Sequence, residues 1–143
     1  MAEYMSLNEL LAKVRTQGGR LTKTRIAILS GFLVATKPLS PLEIISYLED
    51  KKIKVNKTTV YRELNFLLEN NLIREVRLLE GKTAFYELSG EHRHHLICLK
   101  CRQIQSLPMD HQLCQQEKII NQQNNFKVLD HSLEFYGLCK KCQ

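Results

Sequence analysis

The residues able to do chemistry are crowded into the last third of this chain, where all five cysteines and all five histidines lie after Glu91. Cys98-Leu99-Lys100-Cys101 and Cys139-Lys140-Lys141-Cys142 are two Cys-x-x-Cys pairs with 37 residues between them. Two residues between thiols let both sulfurs bind one ion, and two such knuckles complete the closed tetrahedral set of structural zinc. The lysines in each knuckle offset part of the charge that four thiolates would place around a divalent ion. A redox dithiol and plain buried cysteines are the competing readings. A redox motif needs an electropositive helix start to lower the thiol pKa, and neither pair follows the strand-to-helix pattern that would supply one.

A second set stands earlier in the chain. Thr58, Tyr61, Arg62 and Asn65 recur at i, i+3, i+4 and i+7, so on a helix they share one face, opposite Val60, Leu64, Leu67 and Leu68. A hydroxyl, a phenol, a guanidinium and an amide on one exposed face suit a DNA major groove. Arginine donates twice to a guanine edge, asparagine pairs with adenine, and a tyrosine ring rests on a thymine methyl or holds a phosphate. Lys57, at the helix start, reaches the backbone. The alternative is a solvated helix face with a half-buried tyrosine. Charge leans towards a polyanion: the net charge is +6, and no acid interrupts Leu10 to Leu42 or Lys51 to Arg62, while eleven Lys and Arg residues fall there.

The elements that must position these groups follow from periodicity and capping. Leu7 to Thr16 forms a first helix ended by Gly18-Gly19, and Thr22 caps a second in which Ile26, Leu29 and Leu33 fall three or four apart on one face. Ser40-Pro41-Leu42-Glu43 is a capping box with proline at the first helical position, opening a third helix with Ile44, Ile45 and Leu48 inward. The helix carrying Thr58 runs from about Asn56–Thr58 to about Asn70. Two β-prone runs, Leu72 to Leu79 and Lys82 to Leu88, join at Glu80-Gly81 as a hairpin. This order predicts an α+β chain, an N-terminal winged helix-turn-helix followed by a small α/β dimerisation domain. The expected divisions are 1–88 for DNA binding, 89–91 as hinge and 92–143 for metal binding and dimerisation. In the last part, strands are expected at His95–Cys98, Gln103–Leu107 and Phe126–Leu138, the last with a turn near Asp130, and a helix over about Asp110–Gln123. A domain of about 50 residues is too small to be comfortably stable alone, which points to a metal and a partner subunit.

The string Thr-Thr-Val-Tyr-Arg (58 to 62), the segment Glu91-His-Arg-His-His-Leu-Ile-Cys98 and the ending His131-Ser-Leu-Glu-Phe-Tyr-Gly-Leu-Cys139 resemble the ferric uptake regulator (Fur) family over about Leu7 to Cys142. That family includes zinc-, manganese- and peroxide-sensing branches. The resemblance implies a homodimer reading a palindromic operator, usually as a metal-bound repressor, with Tyr61 and Arg62 contacting bases and Arg20 entering the minor groove. It also implies structural zinc on Cys98, Cys101, Cys139 and Cys142. The family's hinge sensor maps onto Pro38, Glu87, Arg93, His95 and Ser106, where only Glu87 and His95 can still bind metal. The second regulatory site keeps His92, His94 and His131, and its helix acid falls at Cys114. Strand alternation directs His92 and His94 the same way, and three imidazoles with one thiolate favour Zn2+ over Fe2+ or Mn2+ as the sensed metal.

Other function classes fit less well. An enzyme needs an open coordination position or a poised nucleophile with its base, and the sequence offers neither. A zinc-binding protein-interaction module would use the cysteines but not the polar face of Thr58, Tyr61, Arg62 and Asn65. No apolar run approaches a membrane span and no secretory signal opens the chain, so the expected location is the cytoplasm, with neither a membrane nor a small-molecule substrate as partner.

Overall fold

A computed structural model describes residues 5–77, 81–90, 93–108, 112–129 and 131–143, without the side chains of Pro108, Gln112 and Cys114. The chain divides into two compact units, Met1–Glu91 and His92–Gln143.

In the first unit, four helices precede a two-stranded wing: α1 (Leu7–Thr16), α2 (Lys23–Val34), α3 (Pro41–Asp50), α4 (Lys57–Glu69), β1 (Ile73–Val76) and β2 (Phe85–Leu88). Each helix start is capped. Ser6 and Ser40 form reciprocal boxes with Glu9 and Glu43, while Thr22 and Asn56 accept from the backbone N–H three residues on. Such caps satisfy amide donors that would otherwise lack a partner, each contributing about 1 kcal/mol. The apolar stripes of all four helices meet in one core that includes Leu10, Ile28, Leu48, Leu64 and Leu67, closed by Leu72, Ile73 and Leu88 from the wing. Leu39 exchanges two 2.8 Å backbone hydrogen bonds with Tyr86, tying the segment before α3 to the wing.

Two expectations need correction here. The inner face of α2 is centred on Ile28, Leu29 and Phe32, while Ile26 and Leu33 are only half-buried. This helix is apolar on several sides, so spacing alone does not single out its deepest residues. The wing strands are also shorter than predicted: pairing runs from Ile73–Leu88 to Val76–Phe85, and Leu79 and Glu80 lie outside the described residues.

The second unit holds β3 (Arg93–Cys98), β4 (Ile104–Pro108), α5 (Gln112–Asn124) and β5 (Glu134–Gly137). Its sheet has the order β4-β3-β5, with β3 antiparallel to β4 and parallel to β5. Of the last strand expected from Phe126, only β5 is paired: 126–129 carry no strand pairing, and the turn expected near Asp130 falls on a residue outside the described ones. Several of its larger apolar side chains, Ile119, Ile120, Phe126, Phe135 and Leu138, are exposed. Among the described residues, no helix is long and apolar enough to cross a membrane.

Candidate functional site

Parallel pairing brings the two knuckles together. Cys98 stands opposite Gly137 at the ends of β3 and β5, so both strands leave the sheet on the same side and each runs into a tight turn. After β3, the Arg102 N–H donates to the Cys98 carbonyl at 2.9 Å, with Arg102 at φ 61 in the left-handed region. After β5, the Cys142 N–H donates to the Cys139 carbonyl at 2.8 Å. The four Sγ atoms lie within 4.8 Å of one another. Cys101 Sγ and Cys139 Sγ are 3.7 Å apart, close to the edge, about 3.8 Å, of a sulfur tetrahedron around zinc and far beyond the roughly 2.05 Å of a disulfide.

Charge at the cluster supports the same fit. The backbone N–H of Cys101, and then that of Cys139, brings the Cys98 thiol down to about 6, which favours a thiolate at neutral pH. Cys142 is pushed up to about 12, first by its hydrogen bond with the Cys139 sulfur and then by desolvation. Sulfurs this close cannot all ionise without a cation among them, and a divalent ion supplies that charge. Geometry and donor chemistry thus fit a closed four-thiolate metal site.

Histidines approach one another across the same sheet. His94 on β3 and His131 before β5 stack with ring centroids 5.5 Å apart and planes 27° from parallel. His131 Nδ1 lies 2.5 Å from Glu117 Oε1 on α5. His95 is as buried as His94, but alternation along β3 sends it to the opposite face. His92 lies outside the described residues, and Cys114 sits one turn before Glu117 on α5 with its side chain outside them. The family resemblance implies a helix partner at Cys114. Glu117 is the acid of that helix, three residues on and so on the same helical face as Cys114, and it is the residue that meets His131 here. Among the described residues, only the four cysteines bring three or more donor atoms within 4.8 Å of one another, so His94, His131 and Glu117 adjoin without converging that closely.

Glu87 has a partner that sequence reasoning did not name. It faces Arg74 directly across the wing, and the guanidinium reaches its Oε1 with Nε at 2.8 Å and Nη2 at 2.6 Å. The carboxylate is 3% exposed. Pro38 is fully buried in the same unit. Glu87 and His95 belong to different units.

On α4, Val60, Leu64 and Leu67 are buried, while Lys57, Thr58, Tyr61, Arg62 and Asn65 are all exposed. Arg20 is exposed in the segment between α1 and α2.

A winged helix with this polar face, joined to a unit with a four-thiolate cluster and a histidine-rich strand, defines the class of metal-responsive DNA-binding regulators. The model of the "Ferric uptake regulator family" matches residues 16–136. The chain belongs to that family, whose members are transcription regulators and not enzymes. It is 32% identical over 138 residues to the ferric uptake regulation protein of Synechococcus elongatus, covering 94% of this chain and 92% of that one. It is 27% identical over 137 residues to the peroxide-responsive repressor PerR of Staphylococcus epidermidis, covering 96% and 90%. The Helicobacter pylori ferric uptake regulator, whose structure is described as revealing three functional metal binding sites, superposes with a TM-score of 0.78 at 26% identity, covering 100% of this chain and 97% of that one.

Proposed function

We propose that this chain is a cytoplasmic, homodimeric, zinc-responsive repressor of palindromic operators, sensing its metal at the histidine-rich strand and not at the hinge. The Arg74–Glu87 ion pair carries the reading. A hinge sensor needs Glu87 as a donor, and here a guanidinium already neutralises that carboxylate in a buried setting. Arg93 and Ser106 add a cation and a weak donor where the family supplies ligands. The histidine-rich strand keeps its nitrogens. With Nδ1 of His131 engaged by Glu117, its metal-facing atom would be Nε2, the arrangement in which a carboxylate orients a ligating imidazole. His92 and His94 complete a nitrogen-rich set, with Cys114 as the further donor. Unit Met1–Glu91 then serves DNA binding through Tyr61, Arg62 and Arg20, supported by Lys57, Thr58 and Asn65. His92–Gln143 holds structural zinc on its four knuckle cysteines and pairs with a second copy through its exposed apolar residues.

Glu117 favours a second reading. If its carboxylate binds the metal itself, the oxygen shifts preference towards iron or manganese. Zinc, manganese and iron(II) titrations of the parent, His92→Ala, His131→Ala, Cys114→Ser and Glu117→Gln proteins, each retaining structural zinc, separate the two. Zinc-dependent operator binding should be lost in both histidine variants and weakened, not abolished, in Glu117→Gln. Unchanged zinc dependence in all four would return the sensor to Glu87 and His95.

A further inference from the structure

Arg25 is a charged residue inside the first unit, only 8% exposed, in the first turn of α2. Its guanidinium is engaged at every nitrogen. Nε donates to Glu63 Oε2 at 2.7 Å, Nη2 to Glu63 Oε1 at 3.2 Å, and Nη1 to the backbone carbonyl of Arg20 at 2.7 Å. The plane lies over the Phe66 ring, 3.7 Å from its centroid. Arg25 is therefore unavailable to a phosphate. It joins the backbone of one candidate DNA contact, Arg20, to the residue immediately after another, Arg62.

The segment before Arg20 is fastened to the same helix. Gln17 Nε2 donates to the Asn70 carbonyl at 3.0 Å. Gly18, at φ 76, turns the chain, and Gly19 passes so close to α4 that a Cβ there would lie 2.6 Å from Phe66 Cζ and 2.8 Å from Val14 Cγ1. Residues 17–20 thus follow α4 from Asn70 past Phe66 to Glu63, ending beside its N-terminal half, where Tyr61 and Arg62 stand. A buried ion pair adds little net stability, because desolvation offsets its attraction, and apolar residues could fill the same volume. A planar guanidinium bonded on both edges supplies geometry that neither a lysine nor an apolar side chain provides.

We infer, building on the DNA contacts proposed above, that Arg25 is a positioning residue: it clamps the Arg20 loop to the recognition helix so that minor-groove and major-groove contacts engage in one fixed register. Arg20 and Arg62 then act as one reading head, and the operator is selected in part by the spacing between a minor-groove feature and the major-groove bases beside it.

The test uses the full-length, zinc-loaded protein with an operator duplex and a scrambled duplex at one salt concentration. The proteins are the parent, Arg20→Ala, Arg25→Lys, Glu63→Gln and the Arg20→Ala/Arg25→Lys double variant, each checked for Tm and zinc content. Arg20→Ala should weaken operator binding by roughly tenfold. Arg25→Lys should weaken it comparably while scrambled-duplex affinity stays within about twofold, and adding Arg20→Ala to Arg25→Lys should cost less than about twofold more. Glu63→Gln keeps the side-chain shape and should act in the same direction, so it carries the test if Arg25→Lys folds poorly. An undiminished Arg20→Ala loss in the Arg25→Lys background overturns the positioning role while leaving the Arg20 contact intact. No loss from Arg20→Ala in the parent removes that contact and the inference with it. Equal weakening on both duplexes with a lowered Tm reduces Arg25 to a structural residue and overturns the inference.

Discussion

Replacing Arg74 by alanine would strand the carboxylate of Glu87, which is 3% exposed, without its guanidinium. Breaking a fully buried pair by removing one partner costs about 3–5 kcal/mol, whereas a surface pair contributes about 0–1 kcal/mol. The Arg74 side chain is 25% exposed, so water can partly follow into its place and the loss falls between these limits, at about 2 kcal/mol. For a cooperative unit of under a hundred residues, each kcal/mol moves the midpoint by about 4–8 °C, so a fall of roughly 8–16 °C is expected. Arg74→Met combined with Glu87→Leu should recover most of it, since no buried charge remains. Thermal unfolding of the three proteins by circular dichroism at neutral pH measures this. An Arg74→Ala midpoint within about 2 °C of the parent would refute the view that Arg74 is the counterion of Glu87.

Cys98→Ser, or strong chelation, should remove about one zinc per subunit and loosen the dimer, as read by metal analysis and sedimentation. Because Cys142 in the metal-free cluster is held protonated, with a pKa of about 12, metal uptake at pH 7 should release protons. Affinity should therefore fall as pH falls, which a competition titration at two pH values checks. Arg62→Ala should weaken operator binding by about 1–3 kcal/mol and relax base preference, and gel shifts giving an unchanged Kd would sink the recognition-helix assignment. Gly19→Ala forces a methyl against Phe66 and Val14 and should destabilise the protein by about 1–3 kcal/mol in urea unfolding.

Local signals carried much of this molecule. The box at Ser40-Pro41-Leu42-Glu43, the exposed face of Thr58, Tyr61, Arg62 and Asn65, and the paired cysteines are all encoded within a few residues of one another. What escaped reading were partners distant along the chain: Arg25 with Glu63, Arg74 with Glu87 and Glu117 with His131 are 38, 13 and 14 residues apart. A single sequence says that an acid and a base exist, and only the packing of elements decides which acid meets which base. Spacing alone does not single out the deepest residues of α2 for a related reason: Leu29 is buried and Leu33 packs against the core, but a helix apolar on several sides has no unique stripe.

The two knuckles close the chain between Cys101 and Cys139 into a ring, and that ring contains α5, Glu117 and His131. An ion on the four sulfurs therefore acts as a cross-link that removes the loop-closure entropy of a long, weakly cored segment. Without it, the group facing His94, His131, is held to β3 only through the four-residue pairing of β5, and any affinity of the histidine strand for a second ion scales with the fraction of time that pairing keeps the ring closed. If the histidine strand senses metal as proposed above, loading should be ordered for this reason, the sulfur site filling before the nitrogen site can weigh the supply.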